Sequence, residues 1–302
     1  MKHVVSISLG SSARDHRVEC QLLGEDFILE RIGTDGNLQD AIKLFKRLDG
    51  KVDAFGLGGI DLNLYAGKKR YQLRTAKKII NSIEKTPIVD GSGLKNSLER
   101  MAIKQVANEL ELANQKVLIV SALDRFGMAE SLANQGADLI IGDLIFGLGV
   151  PWPLKSLSTL HKIARFIMPL ISQLPFSLLY PTGDKQTKIK DKYSRYYHRA
   201  DIIAGDFHYI RRYLPQNLTG TVLITNTLTA KDVTLLKKRG VSKLVTTTPG
   251  FKGRSFGTNV IEAALVTLID KPLSEVQVSD YLNLLRQIDL TPRIENLNQE
   301  VS

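Results

Sequence analysis

The order of apolar and polar positions divides the chain into short buried runs that alternate with longer amphipathic ones. The apolar runs are VVSISL (4–9), FILERI (27–32), VDAFGL (52–57), TPIVD (86–90), VLIVS (117–121), DLIIGD (138–143), FSLLY (176–180), DIIAG (201–205), TVLIT (221–225) and KLVTTT (243–248). Between them lie helical patterns such as NLQDAIKLFKRL (37–48), AGKKRYQLRTAKKIINSIE (66–84) and LKNSLERMAIKQVANELE (94–111). Short β-branched strands separated by amphipathic helices predict parallel sheets built from βαβ units. The fold class expected is α/β, as two doubly wound, Rossmann-like parallel-sheet lobes. The first strands, FILERI apart, fill an N-terminal domain over 1–112, and VLIVS opens a C-terminal Rossmann-like domain over 113–302 with closing helices. The tail SDYLNLLRQIDL reads as a last helix capped by Ser279, followed by a frayed end.

A chain of 302 residues accommodates two such domains, and its 43% apolar and 24% charged residues are those of a globular protein. The longest apolar stretch, FIMPLISQLPFSLLYP (166–181), is interrupted by prolines and too short for a membrane span, so it reads as a helix that Pro175 ends. That helix is either core or a homodimer face. A single cysteine, Cys20, fits a reducing cytoplasm, and no segment has the order of a signal peptide. The net charge of +10 points to an anionic partner. The cations are spread over helix faces, which favours a small anion over nucleic acid, and no membrane contact is expected.

In parallel sheets ligands bind beyond the carboxyl ends of the strands, where helix N-termini offer free N–H groups. Polar residues gather at those exits, and the expected substrate-binding set is Ser11, Ser12, Asp61, Ser92, Asp206, His208, Arg211, Asn226 and Arg254. The loops that carry them are expected to line one polar cleft. The βαβ unit at 116–143 has the rhythm of a dinucleotide site, but its turn, Ser121-Ala-Leu-Asp-Arg-Phe-Gly127, lacks the glycine run that a pyrophosphate needs. If a cofactor sits there, Ser121, Arg125 and Gly127 face its phosphates and Asp143 its ribose. The histidines show no metal-ligand spacing, and the serine-nucleophile and phosphate-loop patterns are absent. The acid–base candidates are Lys95, at a helix start after a Gly-Ser-Gly turn, and Asp124.

The stretches SISLGSSARDHRVE, VDAFGLGGIDL, TPIVDGSGLKNSLER, SALDRFGMAE, ADIIAGDFHYIRRYLP and TTTPGFKGRSFGTNVIEA, among others spread over residues 3–268, resemble a group of bacterial proteins named quinate 5-dehydrogenase. The resemblance implies NAD or NADP as cofactor. It also implies oxidation of a ring hydroxyl of a polyhydroxy cyclic acid of the quinate or shikimate type, with a Lys–Asp pair moving the proton. The Asn-Val-Thr-x-Pro-x-Lys and Gly-Ala-Gly-Gly motifs of shikimate dehydrogenases do not occur here. A second expectation therefore stands beside the first: a non-catalytic binding or regulatory protein for a phosphate- or carboxylate-bearing metabolite.

Overall fold

The computed structural model describes residues 1–66, 69–174, 189–190, 192–226, 228–247, 250–251, 254–255, 257–288 and 291–298. In chain order the strands and helices begin with β1 (Lys2–Ser8), β2 (His16–Leu22), β3 (Glu25–Gly33), α1 (Leu38–Leu48), β4 (Ala54–Gly58), β5 (Asn63–Ala66), β6 (Lys69–Gln72), α2 (Arg74–Ile80), β7 (Ile88–Val89) and α3 (Ser92–Val106). Next come β8 (Lys116–Ile119), α4 (Phe126–Asn134), β9 (Asp138–Ile141), a π-helical turn (Asp143–Gly147) and α5 (Leu157–Ile171). After these the described chain continues with α6 (Ser194–Tyr197), β10 (Ile202–Gly205), α7 (Phe207–Arg212), β11 (Val222–Thr225), α8 (Ala230–Lys238) and β12 (Lys243–Thr246). It ends with the two-residue strands β13 (Gly250–Phe251) and β14 (Arg254–Ser255), then α9 (Thr258–Val266), α10 (Val278–Ile288) and β15 (Arg293–Asn296).

These elements form two compact units, and the chain passes between them several times. Unit 1 holds 1–97, 165–186 and 256–289; unit 2 holds 98–164, 187–255 and 290–302. The expected domain boundary at residue 112 falls inside unit 2.

The sheet of unit 1 runs β2-β3-β1-β4-β7, parallel except for β2, which pairs antiparallel with β3. FILERI, set apart in the sequence reading, is thus the strand beside β1. The central strand β1 buries Val4, Val5 and Ile7 completely, as a parallel strand covered on both faces must. On one face α1 starts at Asn37, whose side chain accepts from the amides of Gln39 and Asp40, and it buries Ala41 and Phe45 one turn apart. Phe45 meets Phe55 edge-on, with centroids 5.0 Å apart. Helix α9 packs against β4 and β1 so closely that a side chain at Gly56 would meet the Asn259 backbone at 2.9 Å.

The sheet of unit 2 runs β15-β12-β11-β10-β8-β9, with only β15 antiparallel. From β8 the chain steps outward to β9 and then returns to the other side of β8 with β10. The order therefore reverses between β8 and β10, the switch point where α/β sheets open a crevice. One face is covered by Ile103, Val106, Met128, Leu132 and Leu160 from α3, α4 and α5. The other is covered by Tyr197, Phe207, Ile210 and Leu236 from α6, α7 and α8. The doubly wound α/β reading holds. Among the described residues no helix is long and apolar enough to cross a membrane.

Two local expectations give way. In place of the single helix expected over 66–84, the hairpin β5–β6 precedes the short α2. The tail does not fray directly after its helix: Arg293–Asn296 adds the antiparallel edge strand β15, aligned residue by residue with β12. The run FSLLY and the exit at 180–185 lie outside the described residues, as does the side chain of Arg254.

Candidate functional site

The switch point of unit 2 is built by strand register. Ile119 pairs with Ala204, Gly205 with Thr225, and Thr225 with Thr246. Carried past these last rungs, the register sets Ser121, Asp206, Asn226 and Thr247 side by side along the carboxyl edge of β8, β10, β11 and β12. At the usual ~4.8 Å between strands, the row spans roughly 14 Å. Asn226 is fixed within it: its Oδ1 accepts from the Phe207 amide (3.2 Å), and its Nδ2 donates to Asp206 Oδ2 (2.9 Å). Asp206 also caps α7, accepting from the His208 amide at 2.9 Å. At the two ends of the row, the Ser121 and Thr247 hydroxyls are buried and have no hydrogen-bond partner among the described residues.

Beside the row lies an ion cluster around Arg125, the residue preceding α4. Its guanidinium, only 4% exposed, reaches Glu99 at 2.5 Å, Asp206 at 2.5 Å and Asp124 at 3.1 Å. Burial alone would lower its pKa, but the three carboxylates outweigh burial and hold it above the ordinary arginine value. Three carboxylates around one cation leave an excess of negative charge at this edge.

The turn that opens α4 is closed by the chain itself. Asp143, at the exit of β9, accepts from the amides of Ala122 and Leu123, both at 2.9 Å. Burial, opposed by these amides, pushes its pKa up to about 6. These are the amides a pyrophosphate would need. Asp143, expected at a ribose, fills their place, and Arg125, expected at a phosphate, is saturated. Gly127 is buried in the first turn of α4. The NAD or NADP site expected at Ser121, Arg125, Gly127 and Asp143 is therefore corrected: the cradle is occupied by a carboxylate, which would repel the phosphates it was meant to receive.

Of the remaining candidates in unit 2, His208 is exposed on α7, and Arg211 donates to Asp232 at 3.0 Å. Asp232 belongs to the capping box that starts α8, so one arm of Arg211 serves a helix start. In unit 1, Ser11 caps a 3₁₀ turn, accepting from the Ala13 amide. The Ser12 amide and hydroxyl both donate to Asp35, at 2.8 and 2.7 Å. Asp61 is half-buried in the exit of β4. Ser92 donates through its amide and its hydroxyl to Asp90 Oδ1, and Lys95 sits in the first turn of α3 with its amide bonded to Gly91 O at 2.8 Å. Lys95 and Asp124, the expected proton-moving pair, belong to different units.

The first turn of α3 has its own internal anion. Glu262, 3% exposed on α9, lies against the amides of Gly91 and Leu94 and accepts from the Tyr281 hydroxyl of α10 at 2.8 Å. Burial and the nearby Asp90 carboxylate outweigh these donors and raise its pKa to about 8. Burial and Glu262 in turn push the Tyr281 phenol up.

Glu99 and Glu262 are not among the expected site residues, and Thr247 stands among the polar strand exits without being singled out. The first two carry a signal: Glu99 flanks the apolar stripe Leu94–Leu98–Ala102–Val106, and Glu262 is the one charge within VIEAALV. A carboxylate inside an apolar face must have a buried partner. Thr247 differs in no visible way from its neighbours in the run TTT.

Fold and site together define a doubly wound α/β protein with a polar, net acidic strand edge. The chain belongs to the family described as Domain of unknown function (DUF8754), whose model matches residues 93–297; a second model, Domain of unknown function (DUF8753), matches 3–90. No curated protein matches it. Among solved structures it is similar to GanP, a glucose-galactose binding protein from Geobacillus stearothermophilus, with 11% identity over 100% of this chain and 99% of that one and a TM-score of 0.40. It is similar also to AraP, an arabinose binding protein from the same organism (9% identity, coverage 98% and 97%, TM-score 0.43). A third is an ABC transporter solute binding protein from Agrobacterium vitis with bound allitol (10% identity, coverage 98% and 96%, TM-score 0.40). The matched families are of unknown function, and these structures are of two sugar-binding proteins and one solute-binding protein. With the turn amides closed by Asp143, the expected quinate dehydrogenase kinship, the oxidoreductase activity and the nicotinamide cofactor are withdrawn.

Proposed function

We propose that this chain is a non-catalytic binding protein for a small, uncharged, hydroxyl-rich molecule, held at the carboxyl edge of the unit 2 sheet. The observation that carries the reading is the row Ser121–Asp206–Asn226–Thr247, whose Asp206 is one of the three carboxylates gathered around a single saturated arginine. Carboxylates accept hydrogen bonds from hydroxyls strongly, whereas an excess of them repels an anion. This local balance argues against the phosphate- or carboxylate-bearing ligand expected from the net charge. The sugars and the polyol named for the similar structures are of the chemical class that such an edge suits. A fixed amide such as Asn226, which both donates and accepts, orients a ligand of this kind.

Thermal-shift and calorimetric titration with pentoses, hexoses and alditols, beside quinate, shikimate, sugar phosphates and NAD(P), tests the reading. Stabilisation by a neutral polyol or sugar, lost on Asp206→Asn or Asn226→Ala by roughly tenfold or more in affinity, is the expected result. Selective stabilisation by the anions would overturn it.

A further inference from the structure

We infer that unit 2 carries a docking surface for an anionic lipid membrane, formed by the loop that follows the π-helical turn together with the segment before β10. Leu148, Val150 and Trp152 are 49%, 42% and 68% exposed, at every second position of the stretch LGVPWP. The loop is not loose. The Val150 amide donates to Leu144 O, and Leu154 exchanges both backbone hydrogen bonds with Ile141 at the end of β9. From the other side the hydroxyls of Tyr193 and Tyr196 donate to the carbonyls of Gly149 and Pro151, at 3.3 and 3.0 Å. The backbone is thus pinned while three apolar side chains face water, an arrangement that needs a covering partner.

The surroundings say what that partner is. Lys192 lies over the Tyr193 ring at 4.6 Å and Arg195 over the Tyr196 ring at 4.8 Å, so cations sit directly on the tyrosines that hold the loop. Lys190, whose amide bonds Arg212 O, and Arg212, over the Tyr213 ring, extend the same surface. Residues 189–200 contain Lys190, Lys192, Arg195 and Arg199 against one acidic residue, Asp191, and residues 147–155 contain Lys155 and no acid. Apolar prongs including a tryptophan, the half-buried Tyr193 beside them and a rim of lysine and arginine suit the interface of an anionic bilayer. There the ring and the aliphatic groups enter the headgroup layer and the cations meet lipid phosphate. An acidic protein would satisfy the rim but would leave the prongs without an apolar phase. The absence of a spanning helix among the described residues is compatible with contact of this peripheral kind.

Trp152 is the only tryptophan in the chain, so its emission reports this loop alone. The full chain is mixed with phosphatidylcholine vesicles with and without phosphatidylglycerol, and co-sedimentation and tryptophan emission are followed at low and high salt. Salt-sensitive binding to the anionic vesicles only, with a blue shift of emission, is expected. Lys192→Glu or Arg195→Glu is expected to weaken it by at least roughly fivefold, the effect of one lost cation near an anionic surface. Trp152→Ser with Leu148→Ser, at exposed positions that leave the fold intact by circular dichroism, is expected to weaken it further. Absence of binding to anionic vesicles would overturn the inference. So would binding with unchanged emission and no loss in the Trp152→Ser, Leu148→Ser variant, which would reduce it to adsorption by charge.

Discussion

The ionisable side chains that organise this protein are buried and occupied by one another. Arg125 commits its guanidinium to Glu99, Asp124 and Asp206, which is not legible along the chain because two of those partners lie 26 and 81 positions away. Lysine could not replace it, since a single ammonium cannot direct its donors to three carboxylates in a planar fork. Glu262 lends itself to a direct test. Its folded pKa of about 8 lies above the ordinary 4.5, so between these values the folded chain binds a proton that the unfolded chain has lost. Stability from this residue is therefore fully present below about pH 4.5 and falls as pH rises toward 8, by an amount on the order of 4 kcal/mol. Asp143 acts in the same direction over a lower window that closes at about pH 6. Glu262→Gln keeps the shape and the bond from Tyr281 but cannot ionise. Urea unfolding between pH 6 and 8.5 is expected to show a steeper loss of stability in the parent chain than in this variant. Equal slopes would mean that the carboxyl is already ionised at pH 6.

At the scale of elements, the start of α3 shows how close packing sets the backbone. Gly91 has a φ of +91°, and a Cβ there would lie 2.7 Å from the Asn259 amide nitrogen and 2.7 Å from Thr258 Oγ1. Gly24 has a similar φ of +82° with nothing within 4 Å. Gly24→Ala is expected to cost about 1 kcal/mol, for the left-handed backbone alone. Gly91→Ala is expected to cost about 2–4 kcal/mol, because α9 must also move. Thermal unfolding of the two variants separates the contributions, and equal losses would show that α9 does not press on this turn. Strands such as VVSISL and TVLIT were legible because a buried parallel strand is a near-continuous run of apolar, β-branched and small residues rather than an alternating one. The hairpin β5–β6 was not, since Lys69, Arg70 and Gln72 fit a helix surface as well as a strand. Of the site, Ser121, Asp206 and Asn226 were legible as polar exits of apolar runs. The roles of Asp143 and Arg125 were misread because sequence shows which charges stand at a strand end, not whether another strand end has already claimed them.

At the scale of the molecule, sequence order and structural units part company. A boundary at residue 112 looks natural along the chain, yet unit 1 is completed by residues 256–289. Helix α9 buries Val260, Ile261, Ala263, Ala264, Leu265 and Val266, and Asn259 Nδ2 donates to Ser6 Oγ at 2.7 Å. Removing the apolar face of this helix exposes strands β1 and β4 as well as forfeiting its own burial. At about 1.5–3 kcal/mol for each of the four larger side chains, the loss is ~6–12 kcal/mol. A domain of this size has only about 5–15 kcal/mol to lose. A fragment of residues 1–112 is accordingly expected to lack a cooperative thermal transition, although it contains the whole five-stranded sheet of unit 1. Residues 1–97 joined by a flexible linker to 256–289 are expected to regain one, visible by circular dichroism and calorimetry. Should the 1–112 fragment melt as sharply as that joined chain, α9 would be an accessory to the unit, and the interleaving of the chain would carry no share of its stability.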